Sequence, residues 1–152
     1  MTLKLVTLAA AALALAACTE EPGSEDYIKI IGGGLNFNYR YSQAFIIVVG
    51  KPLAPLPEGS VVEALFEVPG AAERQIARSP RIEGKLTYKL QTEPVLGITK
   101  GGTYQVTLRL LDKDGVELDR DETVYVSDVD QSTLPSKPLV DGPAYSPQLE
   151  NL

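Results

Sequence analysis

Apolar and polar residues alternate with a period of two along most of residues 27–126, as expected of half-buried β-strands. Clusters of Gly, Pro and Asp interrupt the alternation every eight to twelve residues or so, a spacing typical of an all-β sandwich or barrel. Few stretches have a helical period. The pattern therefore predicts a single all-β domain, either a sandwich or a barrel.

The N-terminal part of this region predicts a strand at the centre of a sheet. A short strand at residues 27–31 is expected to end at the three glycines of residues 32–34, where missing side chains permit a turn, a bulge or the close approach of another backbone. Residues 44–49 are apolar at every position. Such a run is expected of a strand that is covered on both faces, and we place the middle of the fold there.

An aromatic stripe lies between these two segments. Leu35, Phe37, Tyr39 and Tyr41 share one face of an extended chain, and a bulge at residues 42–43 is expected to lead into the next strand. An exposed stripe of this kind would offer a stacking platform to a sugar or a peptide. Because an apolar run follows directly, we expect the stripe to pack in the core instead.

The middle of the chain contains one clear strand and one ambiguous segment. Three prolines in residues 50–59 cannot donate to a β-ladder, so this stretch is expected to connect two strands. Residues 62–68 alternate and stop at a Pro-Gly pair. Residues 71–78 favour a helix of barely two turns by propensity, yet a short strand at residues 74–79 suits the surroundings equally well.

The last third predicts a long hairpin. Residues 104–110 alternate, turn at residues 112–115 and return as a partner strand over residues 116–126. The strand that precedes this hairpin is expected to point Leu86, Tyr88 and Leu90 into the core.

This hairpin resembles the penultimate and last strands of immunoglobulin-like and fibronectin III-like domains, with Tyr104 placed like their corner tyrosine. The resemblance implies that residues 27–127 form one such antiparallel β-sandwich of about seven strands. Residues 128–152 contain four prolines and no period, so we expect an extended tail that either lies along the domain or stays free in solvent. The apolar residues available to hold it against the domain are Leu134, Leu139, Val140 and Tyr145.

The N-terminus carries the most specific motif. An uncharged apolar run at residues 5–17 follows Lys4 and ends in Leu-Ala-Ala, directly before Cys18. Thirteen residues are too few to cross ~30 Å of hydrocarbon as a helix, so the run predicts a cleaved signal peptide. The stretch resembles the lipobox of bacterial lipoproteins, which implies removal of residues 1–17 and acylation of Cys18 on its sulfur and on its new amino group.

Two other interpretations of Cys18 are an ordinary secretory cleavage that leaves a free thiol, and a short buried helix with a core cysteine. Cys18 is the only cysteine, so it cannot form an internal disulfide, and acylation would cap a thiol that is otherwise exposed to oxidation. Residues 18–26 are polar and acidic, and they read as a tether. Eight residues reach at most ~27 Å, which keeps the domain near the headgroups.

Composition limits the chemistry of the remaining chain. Removal of residues 1–17 takes away Lys4 and leaves 13 basic against 20 acidic residues, a formal charge of −7 that argues against nucleic acid as a partner. The absence of histidine excludes imidazole ligands and Ser-His or Cys-His catalysis. We therefore expect no enzyme activity, no metal and no cofactor.

One acidic cluster on the last hairpin offers several carboxylate oxygens within a short stretch, as a calcium loop does. Its spacing does not match an EF-hand, so we interpret it as a solvated turn. A hydrolase using paired carboxylates ranks last, because nothing places two acids on one apolar face. The six acidic residues of the cluster are Asp112, Asp114, Glu117, Asp119, Asp121 and Glu122.

These features together predict a membrane-anchored envelope lipoprotein whose β-sandwich is a non-enzymatic interaction or accessory module, with an envelope protein as partner. The segment at residues 56–59 followed by the strand at residues 61–68 resembles pilotin-type β-sandwich lipoproteins, which accompany outer-membrane assemblies. The residue after Cys18 is Thr19 and not the aspartate that retains enteric lipoproteins in the inner membrane. The resemblance therefore implies that the protein is attached to the outer membrane and faces the periplasm. The alternative is a lipoprotein that holds an apolar or carbohydrate ligand between its sheets or on Tyr39 and Tyr41.

Overall fold

The computed structural model describes residues 26–140 of the chain. This part contains seven antiparallel strands and one short 3₁₀ helix, joined by turns and loops. The helix is Gln131–Thr133. The strands are β1 (Ile28–Asn38), β2 (Gln43–Pro52), β3 (Val61–Phe66), β4 (Gln75–Pro80), β5 (Tyr88–Gln91), β6 (Thr103–Leu111) and β7 (Glu117–Val126).

The strands form two sheets that pack face to face. One sheet has the order β1-β2-β5 and the other the order β4-β3-β6-β7, with antiparallel pairing throughout. The chain crosses from one sheet to the other between β2 and β3, between β4 and β5 and between β5 and β6, as in a fibronectin III-like sandwich. The predicted fold class is confirmed, and β2 occupies the central position that its apolar run predicted.

The core lies between the sheets and is built from the inward positions of each alternating strand. Ile46 and Val48 of β2 and Val62, Ala64 and Phe66 of β3 are completely buried. Tyr88 and Leu90 of β5 and the even-numbered residues 104–110 of β6 complete the interior. Removing this apolar surface from water is the main favourable contribution to folding. Because only the inward positions of a strand are buried in this way, apolar residues recur at every second position of the sequence.

Tyr104 makes the corner contact that the resemblance implied. Its side chain is buried at the start of β6, and its hydroxyl oxygen accepts a hydrogen bond of 3.0 Å from the backbone N–H of Thr99. The bond ties the connection between β5 and β6 to the strand that follows it. The placement of Tyr104 as a corner tyrosine is therefore confirmed.

The first strand differs from its prediction. β1 does not end at the glycines but runs through them to Asn38, with a register shift between Ile30 and Gly32. Gly33 has a φ of 138°, and a Cβ there would overlap the hydroxyl of Tyr125 and the carbonyl of Ile47. The glycines thus provide a bulge and a close backbone approach within one strand, rather than a strand end.

The aromatic stripe is divided by a turn that the sequence did not reveal. β1 and β2 are joined by a tight turn at residues 39–42, in which Ser42 has a positive φ of 52°, so the expected bulge at residues 42–43 is wrong. Leu35 and Phe37 pack against the core from β1. Tyr39 lies in the turn with an exposed side chain, so the expected core packing holds for only part of the stripe.

Strand pairing decides the structure of one further segment, and a turn decides that of another. Residues 75–80 form β4, because each of them lies opposite a residue of β3, and the helical alternative is excluded. Leu86 lies before β5 begins and is 82% exposed, so its predicted inward position is wrong. A turn at residues 82–85, closed by a bond from Lys85 N–H to the Ile82 carbonyl, directs the chain outward before β5.

The edges of the two sheets meet where β1 lies beside β7. One carboxylate oxygen of Asp119 accepts the backbone N–H groups of Tyr27 and Ile28 at 2.7 and 2.8 Å. Asp121 accepts the N–H of Ile30 at 2.8 Å. Edge strands expose unpaired backbone donors, and these two carboxylates satisfy them across the gap between the sheets.

The chain after β7 lies along the end of the sandwich as far as residue 140. We call residues 127–140 the strap. Gln131 exchanges hydrogen bonds with Ile98 through both its backbone and its side chain, and Leu134 packs against the core. The Leu139 N–H donates to the Arg40 carbonyl at 2.8 Å. Residues 141–152, including Tyr145, lie outside the described residues.

Candidate functional surfaces at the two poles

The antiparallel order places the start of the described chain and three connections at one end of the sandwich. Ile28 lies opposite Pro52, and Val61 lies between Pro80 and Leu111, so the strand ends at these positions are level with one another. We call this end the near pole and the opposite end the distal pole. The near pole comprises Asp26, Tyr27 and the connections at residues 53–60, 81–87 and 112–116.

Apolar side chains project from all three near-pole connections. Leu53 precedes the proline-rich stretch, Ile82 and Leu86 flank the turn after β4, and Val116 follows the turn before β7. Each of these side chains is at least half exposed, and Leu86 is the most exposed of the described large apolar residues. Single exposed apolar residues are ordinary on protein surfaces, and here four of them lie at the same end of the sandwich.

A groove of about 320 Å³ opens at the near pole between the connections at residues 53–60 and 81–87. Leu56 and Tyr88 are both buried among its lining residues. The Lys85 ammonium lies 4.7 Å from the centre of the Tyr88 ring, and the Tyr88 hydroxyl accepts the Ile82 N–H at 3.0 Å. The groove therefore has an apolar floor beside a cationic side chain.

A second groove of about 390 Å³ lies at the distal pole, between residues 96–99 and the strap. Gln131 orders one wall, because its side-chain amide donates to the Val95 carbonyl at 2.8 Å while its oxygen accepts the Ile98 N–H at 3.0 Å. Leu96 stands beside the groove and is 79% exposed. The distal pole thus combines a shaped opening with exposed apolar side chains.

Glu63 lies on the outer face of the four-stranded sheet and is completely buried. Arg78 and Arg109 occupy the paired positions on the two neighbouring strands, and each guanidinium approaches one carboxylate oxygen to 2.5 Å. Both carboxylate oxygens of Glu63 are engaged by arginine side chains, which fixes the position of the carboxylate between the neighbouring strands. This grouping was missed because strand register cannot be read from residue spacing.

The ion-pair network continues across β7. Glu117 accepts hydrogen bonds from Arg120 at 2.7 Å and from Arg109 at 3.3 Å. The hydrogen bond from Arg120 is the main reason that the pKa of Glu117 lies below its ordinary value, and Arg109 adds to the effect. Glu117 thereby separates two arginines that face each other directly across the β6–β7 pair.

The acidic cluster on the last hairpin divides into four separate roles. Asp112 closes the turn by accepting the N–H groups of Asp114 and Val116, each at 2.8 Å. Glu117 binds arginines, Asp119 and Asp121 hold β1, and Glu122 accepts from the Thr107 hydroxyl at 3.2 Å. A simple solvated turn is thus an incomplete description. Within residues 26–140, no three metal-ligating side chains are grouped in a way that would hold an ion.

The candidate lipid-attachment residue, Cys18, and the preceding apolar run lie outside the described residues. Tyr39 and Tyr41, the candidate platform for a carbohydrate, do not share a strand. The Tyr39 hydroxyl lies 3.3 Å from Thr133 Oγ1 of the strap, and the Arg40 guanidinium lies 6.0 Å from the centre of the Tyr41 ring. The turn therefore separates the two rings that a continuous strand would have aligned.

Within residues 26–140 the chain has no helix of the length and apolarity needed to traverse a bilayer. No protein-family model matches the chain, and no curated protein matches it significantly in sequence.

Proposed function

We propose that this protein is a lipid-anchored lipoprotein of the bacterial envelope whose β-sandwich is a non-enzymatic interaction module. The observation that carries the proposal is the position of its only cysteine. Cys18 directly follows Leu-Ala-Ala and stands eight residues before Asp26, where the described domain begins. A diacylated and N-acylated cysteine would hold the domain stably on a bilayer, since two or more acyl chains suffice for permanent anchoring.

The geometry of the domain supports a division of roles between its poles. The chain enters at the near pole, so a lipid at Cys18 holds that end within ~27 Å of the headgroups. The distal pole, with its groove and the exposed side chains of Tyr39 and Leu96, then faces away from the membrane. We assign the distal pole as the surface for an envelope protein partner, in the periplasm under the outer membrane.

Mass spectrometry of the protein purified from its host tests the anchor. The mature chain is expected to begin at Cys18 with a mass increment of three fatty acyl chains and glycerol. A Cys18→Ala variant is expected to lose the increment. A mature N-terminus at another position, or an unmodified cysteine, contradicts the proposal.

Site-specific photo-crosslinking in intact cells tests the partner surface. A photoreactive residue at Leu96 is expected to give a discrete protein adduct, while the same residue at Val116 of the near pole is expected to give none. Both positions are exposed, so the two variants differ in pole and not in accessibility. Adducts from Val116 alone, or from neither position, contradict the assignment of the distal pole.

Binding of an apolar ligand is the second candidate function, and the apolar floor of the near-pole groove favours it. The space between the sheets is filled by core side chains, so a ligand of this kind would have to bind at the surface. Native mass spectrometry of protein purified without detergent extraction tests the idea. A co-purified ligand lost on Leu56→Asp would support it, and ligand-free protein would count against it.

A further inference from the structure

We infer that the near pole rests directly on the bilayer, with Leu86, Ile82 and Leu53 inserted between the lipid headgroups. This inference rests on the proposed lipid anchor but goes beyond it, because an anchor alone would let the domain stand clear of the surface. The occupant of the apolar pole is the membrane itself rather than a protein.

The first argument is the short distance available to the near pole. Asp26 lies eight residues after the acylated Cys18, and a fully extended chain of that length spans at most ~27 Å. The ten-residue strands of the sandwich are themselves about 33 Å long. Only the near pole is therefore held in the immediate neighbourhood of the headgroups, while the distal pole is a full strand length further away when the domain stands upright.

The second argument is the exposure of the near-pole tips. Leu86 follows a turn in which Gly84 has a φ of 72°, a left-handed conformation that lets the chain reverse and project the next side chains outward. Ile82 flanks the same turn, and Leu53 lies on the neighbouring connection. Exposed leucine and isoleucine are unfavourable in water and favourable at the boundary between headgroups and acyl chains, where amphipathic surfaces of peripheral proteins bind.

The charges of the near pole do not oppose this contact at a neutral surface. Lys51, Arg81, Lys85 and Lys113 stand among Asp26, Glu58, Glu83, Asp112 and Asp114 at this end of the sandwich, so four cations lie among five anions and the charges nearly balance. Long basic side chains beside apolar tips can extend their charged ends toward the headgroups. Since attraction to anionic lipid is not required, a zwitterionic bilayer is the appropriate probe.

The absence of tryptophan from the chain makes the test specific. Leu86→Trp and Leu96→Trp each introduce one reporter, at positions that are 82% and 79% exposed on opposite poles. The full mature protein, purified with its lipid, is reconstituted into phosphatidylcholine vesicles with or without brominated acyl chains. We expect about a twofold loss of fluorescence from position 86 on bromination, with a shift of emission to shorter wavelength, and no change from position 96.

A second pair of substitutions separates docking by the pole from insertion of the reporter ring alone. Adding Leu53→Asp and Ile82→Asp to Leu86→Trp is expected to abolish the quenching while the protein still floats with the vesicles. Quenching that survives these changes, or equal quenching at both poles, overturns the inference. So does a protein that floats with no quenching at position 86, which leaves the anchor intact. A protein that fails to float refutes the anchor and with it this inference.

Discussion

The outer faces of the two sheets differ in the kind of side chain that they carry. On the three-stranded sheet, the outward positions of β2 are Phe45, Ile47 and Val49, and β1 offers them glycines at Gly32 and Gly34. On the four-stranded sheet, the outward positions carry arginines and glutamates that pair across strands. The outward positions of the first sheet therefore carry apolar side chains or none, and many of those of the second carry charges.

The difference shows two ways of stabilising a sheet surface. Where glycine leaves room, strands come close enough for a side chain of the other sheet to reach a backbone carbonyl, as Tyr125 does when it donates to Gly32 at 3.0 Å. Where long side chains cover the surface, a carboxylate such as Glu63 is removed from water and needs cations on both sides. Position 33 of β1, where Tyr125 approaches the strand, should therefore be intolerant of added volume, and the charged face of the four-stranded sheet should be intolerant of lost charge.

The largest loss of stability is expected for Gly33→Ala. A methyl group there overlaps the Ile47 carbonyl and the Tyr125 hydroxyl, and its φ of 138° is unfavourable for alanine, so the free energy of unfolding should fall by about 3 kcal/mol. Gly34→Ala is the matched control, because its φ is 140° but no atom lies within 4 Å of the added methyl. Its cost should be about 1 kcal/mol in urea unfolding. Equal losses would show that backbone conformation, and not close packing, requires the glycine.

Arg109→Met is expected to cost about 3 kcal/mol, because it leaves the fully buried Glu63 with one cation. Arg78→Met removes the other partner, whose side chain is 62% exposed against 27% for Arg109. Its cost should be about 1 kcal/mol, since solvent already screens that pair. Thermal or urea unfolding of both variants measures the difference. A larger loss from Arg78→Met would contradict this, because it would make Arg78 on β4, and not Arg109 on β6, the main counter-charge of Glu63.

Tyr125→Phe should lower the free energy of unfolding by about 1 kcal/mol through loss of its bond to Gly32. Burial raises the pKa of the Tyr125 hydroxyl above its ordinary value. The folded state then holds this proton more tightly than the unfolded state, so the stabilisation is complete below about pH 10 and declines as pH rises further. The wild type is thus expected to lose stability more steeply than the variant in alkaline urea titrations. Parallel curves would contradict this.

The smallest change is expected for Glu117→Gln. The lowered pKa of Glu117 means that its charged form is favoured in the folded state, so its contribution is present above about pH 4.5 and is lost as pH falls further. A largely solvated pair of this kind should contribute less than about 1 kcal/mol at neutral pH. Unfolding midpoints of wild type and variant should differ at pH 7 and converge near pH 3. A difference that persists at pH 3 would assign the effect to packing.

Alternation of apolar residues was enough to predict the fold class, the central position of β2 and the β6–β7 hairpin, because burial of one strand face leaves a period of two in any sequence. Tyr104 was identifiable for the same local reason, since its hydroxyl bonds to a residue only five positions away. These features depend on contacts that are short in sequence or repeated along a strand.

The features that the sequence pattern did not predict depend on the three-dimensional arrangement of the chain. The burial of Glu63 depends on the register of strands within one sheet, and the bridge of Asp119 to β1 depends on how the two sheets pack. The chain reversal at residues 39–42 and the outward position of Leu86 are set by turns whose ends the alternation did not mark. A residue's spacing along the chain carries no information about a partner some ninety positions away, such as Asp119 for Ile28. Only the register between strands places those groups together, and register is a property of the assembled sheets.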